Sequence, residues 1–345
     1  MDMSNAVLEK ISVHSIGNKG TGQEMKASKK PLSLSAEEKK YLSEAFLGRF
    51  NIDQDKYSFH HPSSLQYNEI FNYCLEMMSD ELPFHKGTVQ VAKHLYESST
   101  HPKIKEGELY VCYFSNCLIN NKPHDAIGIY KTETKSRFLD LDIESDFDLN
   151  MREGVELSKM DKGALVLSSN AEEGFDVLVF DNNRGDEAIF WTETFLSIVP
   201  QATEYYNTNQ VMNVARQFIE KQIPQEYEVG KKEQIDYLNR SLEYFRSNEE
   251  FDKKHFEKQV FGDGGMIRSY RNFEQSYSEE NAIDFADNFA ISTQALKKQA
   301  RVYKSVLKLD KNFHVYIHGN TDLIEKGYDR NVGKNYYKIY FDEEL

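Results

Sequence analysis

Six basic side chains crowd into fifteen residues: Lys297, Lys298, Arg301, Lys304, Lys308 and Lys311, against one carboxylate, Asp310. The 345-residue chain around them carries a formal net charge of −14. Such a run is either an ordinary solvated face or a local contact for a polyanion. The chemistry of the second case is counterion release: each phosphate neutralised by a fixed cation frees condensed ions, and that release dominates affinity. The acidic remainder excludes a protein that coats a polyanion with its whole surface, so any such contact is local on the scale of a Debye length of about 10 Å. At about 100° per residue, Lys297, Arg301, Lys304 and Lys308 fall on one helical stripe, and Leu296, Ala300, Tyr303 and Leu307 on another. Just beyond, His314, Tyr316 and His318 alternate along a strand-like segment, where rings can stack on bases or sugars.

Other residue groups suggest other chemistry. Asp125 with Glu133-Thr134-Lys135 loosely echoes a D…ExK pattern, in which carboxylates hold a metal that activates water for phosphodiester cleavage. The separation is short for that pattern, and such triplets arise easily in a charged chain. The stretch LDLDIESDFDL, Leu139 to Leu149, nearly alternates apolar and acidic residues, with Asp140, Asp142, Glu144, Asp146 and Asp148 on one side. A calcium loop needs Gly at the sixth position and Glu at the twelfth. Counted from Asp140 these are Ser145 and Met151, so a strand with a solvated acidic face is the better reading. Gly262, Gly264 and Gly265, followed by Arg268 and Arg271, offer either a flexible turn or an anion nest of backbone N–H groups, but no GK[ST] follows. The histidines lack zinc-binding spacing, and no nucleophile elbow is present. No catalytic residues, metal or cofactor are assigned.

The elements that must position these groups change character along the chain. Ile11 to His14 reads as a short strand. Ser35-Ala36-Glu37-Glu38 opens a helix with a serine cap, and Asn68 to Met78 and Thr88 to Ser98 are amphipathic helices. From Gly107 the period becomes that of strands: Leu109 to Ile119, Ala126 to Lys131, Ser136 to Ile143, Ala164 to Ser168, Phe175 to Phe180, and a return strand from Ala188 to Trp191. Short strands joined by short loops imply an antiparallel sheet. After Thr194 the pattern is helical: Tyr205 to Gln222, Lys231 to Ser247, Phe251 to Phe261 and Asn288 to Lys304. A hairpin around Asp310-Lys311-Asn312, a short helix from Thr321 to Lys326 and a closing strand from Tyr336 to Phe341 complete the chain. The reading is α+β: residues 1–200 form an antiparallel sheet with flanking helices, and residues 201–345 a mostly helical region ending in a helix, hairpin and strand. Cys74, Cys112 and Cys117 lack metal or redox spacing and read as buried thiols of a reducing compartment. No secretory leader or membrane-length apolar run is read, so a soluble, cytoplasmic protein is expected.

Extended patterns run through the whole chain: Ile11-Ser12-Val13-His14; Leu95-Tyr96 and His101 to Leu109; Lys162 to Leu167; Ala188 to Trp191 with Phe195-Leu196; Leu309 to Asn320; and Tyr336 to Phe341. In these the sequence resembles the bacterial nucleoid-associated protein family (NdpA-like), in the form found in Bacteroidetes-type bacteria. The resemblance implies a nucleoid location, nucleic-acid binding and no established enzymatic role, and it supplies no residue-level site. The expectation is therefore a non-enzymatic, largely sequence-independent binder of DNA, or of RNA. Lys297, Lys298, Arg301, Lys304, Lys308 and Lys311 would contact phosphate. Two alternatives stand beside it: a module recruited to the nucleoid by a protein partner through the acidic strand face or exposed aromatics, and a metal-dependent nuclease built on Asp125, Glu133 and Lys135. A homodimer would offset the acidic body by pairing two basic patches.

Overall fold

The computed structural model describes residues 2–50, 54–119, 121–142, 147–182, 189–281, 283–303, 306–317 and 321–343. Of the groups singled out above, Ile143, Glu144, Ser145, Asp146, Ala188, Lys304, Ser305, His318, Gly319 and Asn320 lie outside the described residues, as do the turn residues Asn120, Asn183, Arg184, Gly185 and Asp186. The fold is α+β. Two compact units divide at residues 201 and 202.

In the first unit the elements are β1 (Val7–Ile16), α1 (Ala36–Leu47), β2 (Lys56–Phe59), α2 (Glu69–Met78), α3 (Phe84–Ser98), β3 (Gly107–Ile119), β4 (Lys122–Thr132), β5 (Ser136–Asp142), β6 (Asp148–Gly154), β7 (Lys162–Leu167), β8 (Asp176–Asp181) and β9 (Ile198–Pro200). Seven strands form one antiparallel sheet in the order β1-β3-β4-β7-β8-β2-β9. Both of its faces are buried, and the period-2 alternation sorts its side chains between two cores. Leu109, Val111, Ile127, Ile129, Ala164, Val166 and Val177 pack with residues of α2 and α3. Cys112, Phe114, Ala126, Tyr130, Leu165, Leu167 and Leu178 pack with Phe46 and Leu47 of α1. The start of α1 follows its sequence signal: Ser35 and Glu38 form a reciprocal capping box. Cys74, Cys112 and Cys117 are free and buried, and burial pushes the Cys117 thiol up to about 12.

One expected strand is a helix. Phe190–Leu196 winds as a π-helical segment in which Phe190, Trp191, Phe195 and Leu196 are buried. Apolar residues at positions i, i+1, i+5 and i+6 fit one face of that wide helix, and a four-residue window cannot separate this from a buried strand. The expected strand from Leu139 to Leu149 is instead a hairpin: β5 turns back into β6, with register Leu139↔Met151 and Leu141↔Leu149.

The second unit contains α4 (Glu204–Gln217), α5 (Lys231–Ser247), β10 (Glu250–Asp252), α6 (Lys253–Val260), α7 (Gly264–Asn281), β11 (Asn288–Ala290), α8 (Thr293–Ala300), β12 (Val306–Leu309), β13 (Phe313–Tyr316), β14 (Ile324–Asp329) and β15 (Lys334–Ile339). α4 continues through a π-helical stretch, Phe218–Gln222, into Ile223–Glu226. An aromatic cluster holds the helices together, with Phe218, Phe245, Phe251, Phe256, Phe261 and Tyr270 all buried.

Three boundaries differ from expectation. Phe251 and Asn288 begin helices in the sequence reading, but both lie in the β10–β11 ladder, where Phe251 stacks on Phe289 at 4.8 Å. Ser292 then caps α8 by accepting from the Ala295 N–H. Thr321–Leu323 is a single 3₁₀ turn, and the chain beyond it forms the β14–β15 hairpin.

Candidate functional site

Lys297 and Lys298 occupy the last turn of α8, and Arg301 caps its C-terminus. Cations there are favoured by the negative end of the helix dipole, which gives them a structural reason to be basic. The helix ends at Ala300, four residues before the limit expected from periodicity, because Tyr303 turns inward. Tyr303 is 6% exposed, and its hydroxyl donates to the Met212 carbonyl at 2.5 Å and lies 3.4 Å from Ser241 Oγ. Four residues later Leu307, at 1%, packs with Ile235 in a second small core. Ser241 and Ile235 both belong to α5, so Tyr303 and Leu307 pin the basic segment to one helix at two points.

The cations lie on either side of these anchors. Lys297, Lys298, Arg301, Lys308 and Lys311 are all exposed. Among the described residues none of the five pairs with a carboxylate. Lys298 instead lies over the Tyr205 ring at 5.4 Å and donates to its hydroxyl at 3.1 Å. Lys308 pairs in register with His314 across the β12–β13 hairpin, and Val306 with Tyr316. Lys308, His314 and Tyr316 therefore share one face of the hairpin, opposite the face that buries Leu307. The sixth cation, Lys304, lies outside the described residues.

Sequence reasoning missed a second mixed face. Lys334, Tyr336 and Lys338 alternate along β15, and Lys338 lies over the Tyr340 ring at 4.8 Å. The Tyr336 ring covers Gly327: a Cβ there would sit 2.3 Å from it. The period-2 spacing of Lys and Tyr was the available signal. This face differs from the basic run, because Glu325 stands opposite Lys338 and Asp329 opposite Lys334. Its charge is locally balanced, whereas that of the run is not.

The competing constellations do not assemble. Asp125 lies near the start of β4 and Glu133 just past its end, eight residues apart in sequence, or roughly 27 Å along an extended strand. Asp125 accepts from the Tyr113 hydroxyl at 2.7 Å, Glu133 pairs with Lys131 at 2.8 Å, and Lys135 pairs with Glu108 at 2.7 Å. Among the described residues no group of three His, Cys, Asp or Glu side chains is placed to hold a metal ion. The glycine-rich turn is no vacant anion nest. The Asp263 carboxylate already accepts from the N–H groups of Gly265 and Met266, at 2.7 and 3.1 Å. Arg271 is committed to Glu257 through two hydrogen bonds of 2.8 and 2.6 Å.

Two buried polar groups also escaped the sequence reading. Lys131 and Lys162 face each other in register across β4 and β7. Lys131 is fully buried and donates to Glu133 and to the Lys105 carbonyl, while Lys162 pairs with both oxygens of Asp181. Burial lowers the pKa of Lys131, and Glu133 opposes that shift. His14 and His85 stack at 5.9 Å under the first strand. Both groups are satisfied internally, and their role is in the core.

No described helix is long and apolar enough to cross a membrane. The family model for nucleoid-associated protein YejK matches residues 12–333. Among curated proteins no relative matches.

Proposed function

The chain belongs to the family of nucleoid-associated protein YejK, and from that premise we propose that it binds nucleic acid directly through the basic segment of its second unit. The observation that carries the reading is five exposed cations, Lys297, Lys298, Arg301, Lys308 and Lys311, none paired with a described carboxylate, in a chain of net charge −14. Lys304 is the sixth proposed contact. In such a chain most exposed lysines are expected to find acidic neighbours, and a run without them retains its charge for a phosphate backbone. The contacts position the protein and read no bases, so binding is largely independent of sequence. His314 and Tyr316, beside Lys308, add ring faces for unpaired bases. DNA is the expected ligand, in a nucleoid setting, and no chemical step is assigned to the site.

Six phosphate contacts on duplex DNA correspond to a slope of roughly −5 to −6 in log affinity against log salt concentration. The test is a salt titration on random duplex DNA with the full chain and with the Lys297→Gln/Arg301→Gln/Lys308→Gln variant. Loss of about three units of slope, at unchanged thermal stability, supports the reading. An unaltered slope and affinity would refute it.

A further inference from the structure

The β5–β6 hairpin is amphipathic in a way that water alone does not justify. Its register puts Arg137 opposite Glu153, Leu139 opposite Met151, and Leu141 opposite Leu149, all on one face. The four apolar residues of that face are 61%, 48%, 62% and 69% exposed for Leu139, Leu141, Leu149 and Met151. Phe147, at the turn, is 65% exposed. The opposite face is mixed: Asp140 pairs with Arg152 at 2.7 Å and stands opposite Asn150, and Phe138 on that side is 51% exposed. Phe138 lies over Gly154 on that side, its nearest ring atom 3.0 Å from where a Cβ would be. No described residue of the hairpin joins either core of the first unit. A lone two-stranded hairpin is marginal in water, and a contiguous apolar face on it signals a partner.

We propose that this face is the contact between two copies of the chain. The argument is its self-complementarity. When two such hairpins meet face to face about a twofold axis parallel to their strands, β5 of one lies over β6 of the other at the same level. Leu139 then meets the second copy's Met151, Leu141 meets its Leu149, and Arg137 meets its Glu153. Each cross-strand pair within the hairpin is repeated between copies, as a twofold interface requires. The apolar residues fill the roughly 10 Å between the stacked sheets, while two reciprocal Arg–Glu pairs close the base. The acidic reverse face stays in water and repels phosphate and anionic lipid, so neither competes for the hairpin. Full burial of the four apolar residues and of Phe147 in two copies would remove roughly 1,100 Å² from water, in the range of weak, transient contacts. An interface of this size fits a weak dimer.

The experiment is sedimentation equilibrium of the full chain across the low-micromolar range. The wild-type chain is expected as a monomer–dimer equilibrium. Leu141→Lys/Met151→Lys is expected to be a monomer, with unchanged far-UV circular dichroism and unchanged emission from the buried Trp191. Arg137→Glu sets like charges against each other and is expected to weaken the dimer about tenfold, while adding Glu153→Arg restores it. A wild-type monomer, a dimer that persists in the double-lysine variant, or a failure of the charge swap to restore association would each overturn the proposal. None of these readouts uses the basic segment, so this inference and the binding reading fail separately.

Discussion

Acidification to about pH 5 should loosen the first unit through one residue, His14. The ring is 1% exposed, and its tautomer is fixed from both sides. The Ser28 N–H donates to Nδ1 at 3.2 Å, so that nitrogen carries a lone pair. The Thr88 hydroxyl donates to the His85 carbonyl at 2.9 Å, leaving its oxygen to accept from His14 Nε2–H at 3.0 Å. A second proton would have to sit on Nδ1, against an N–H already pointing at it. Burial, and next the charge of His85, lower the pKa of His14 from 6.5 to about 4. Between those two values the unfolded chain binds more protons than the folded one, so stability falls as pH falls. The loss relative to pH 7.5 is about 2 kcal/mol at pH 5, rising toward roughly 3 kcal/mol below pH 4. For a unit of this size 2 kcal/mol is roughly 4–8 °C in melting temperature. The chain's single tryptophan, Trp191, is buried in the first unit, so its emission reports that unit. Thermal melts followed by Trp191 at pH 7.5 and 5 should separate by that amount in the wild type, and by several degrees less in His14→Gln. The glutamine can still donate to Thr88 but does not titrate. Equal pH dependence in the two proteins would refute the assignment.

Other expected outcomes follow from the core and the surface. Lys131→Met leaves the Glu133 carboxylate, 2% exposed, without its lysine, and should cost about 3–5 kcal/mol in chemical denaturation; Lys131→Met/Glu133→Leu should recover much of that. Gly163→Val would set a Cβ 2.4 Å from the Phe180 ring and 2.9 Å from Tyr130, and should destabilise the first unit by about 3 kcal/mol by the same melts. Cys74, Cys112 and Cys117 should react with a thiol reagent at pH 8 only on the timescale of unfolding, because burial raises all three thiols. Fast labelling of the native protein would contradict their burial.

The sheet was legible because its strands are short runs rich in β-branched, aromatic and other apolar residues: Leu109 to Ile119 and Ala126 to Lys131 each carry apolar residues for two cores, and the turns between them are polar. The α1 cap was legible because Ser35 and Glu38 are three residues apart. What escaped depended on long-range pairing. Nothing near Asn288 announces that Phe289 will stack on Phe251, which turns a helical-looking stretch into a strand. Leu139 to Leu149 alternates as one strand does, and the same alternation serves two strands folded back on each other. The basic run was visible as composition. Its shape was not, because the inward turn at Tyr303 depends on Met212 and Ser241, both more than sixty residues away. The buried Lys131 and Lys162 look in sequence like any exposed lysines, and only the β4–β7 register brings them together.

The two anchors of the basic segment, Tyr303 and Leu307, tie charge to folding. Holding Lys297, Lys298, Arg301 and Lys308 beside buried residues sets like charges near one another, and the second unit bears that repulsion whenever it is folded. A ligand that binds those charges in the folded unit and not in the unfolded chain must then stabilise the unit, by an amount that grows with its concentration over its dissociation constant. Added salt or a polyanion such as heparin should raise the melting temperature of the second unit. The uncharged change Tyr303→Phe, which removes the hydroxyl bonded to the Met212 carbonyl, should loosen the anchor that positions these cations and so weaken association with a polyanion along with stability. The most damaging lesion in a charged surface can lie beneath it.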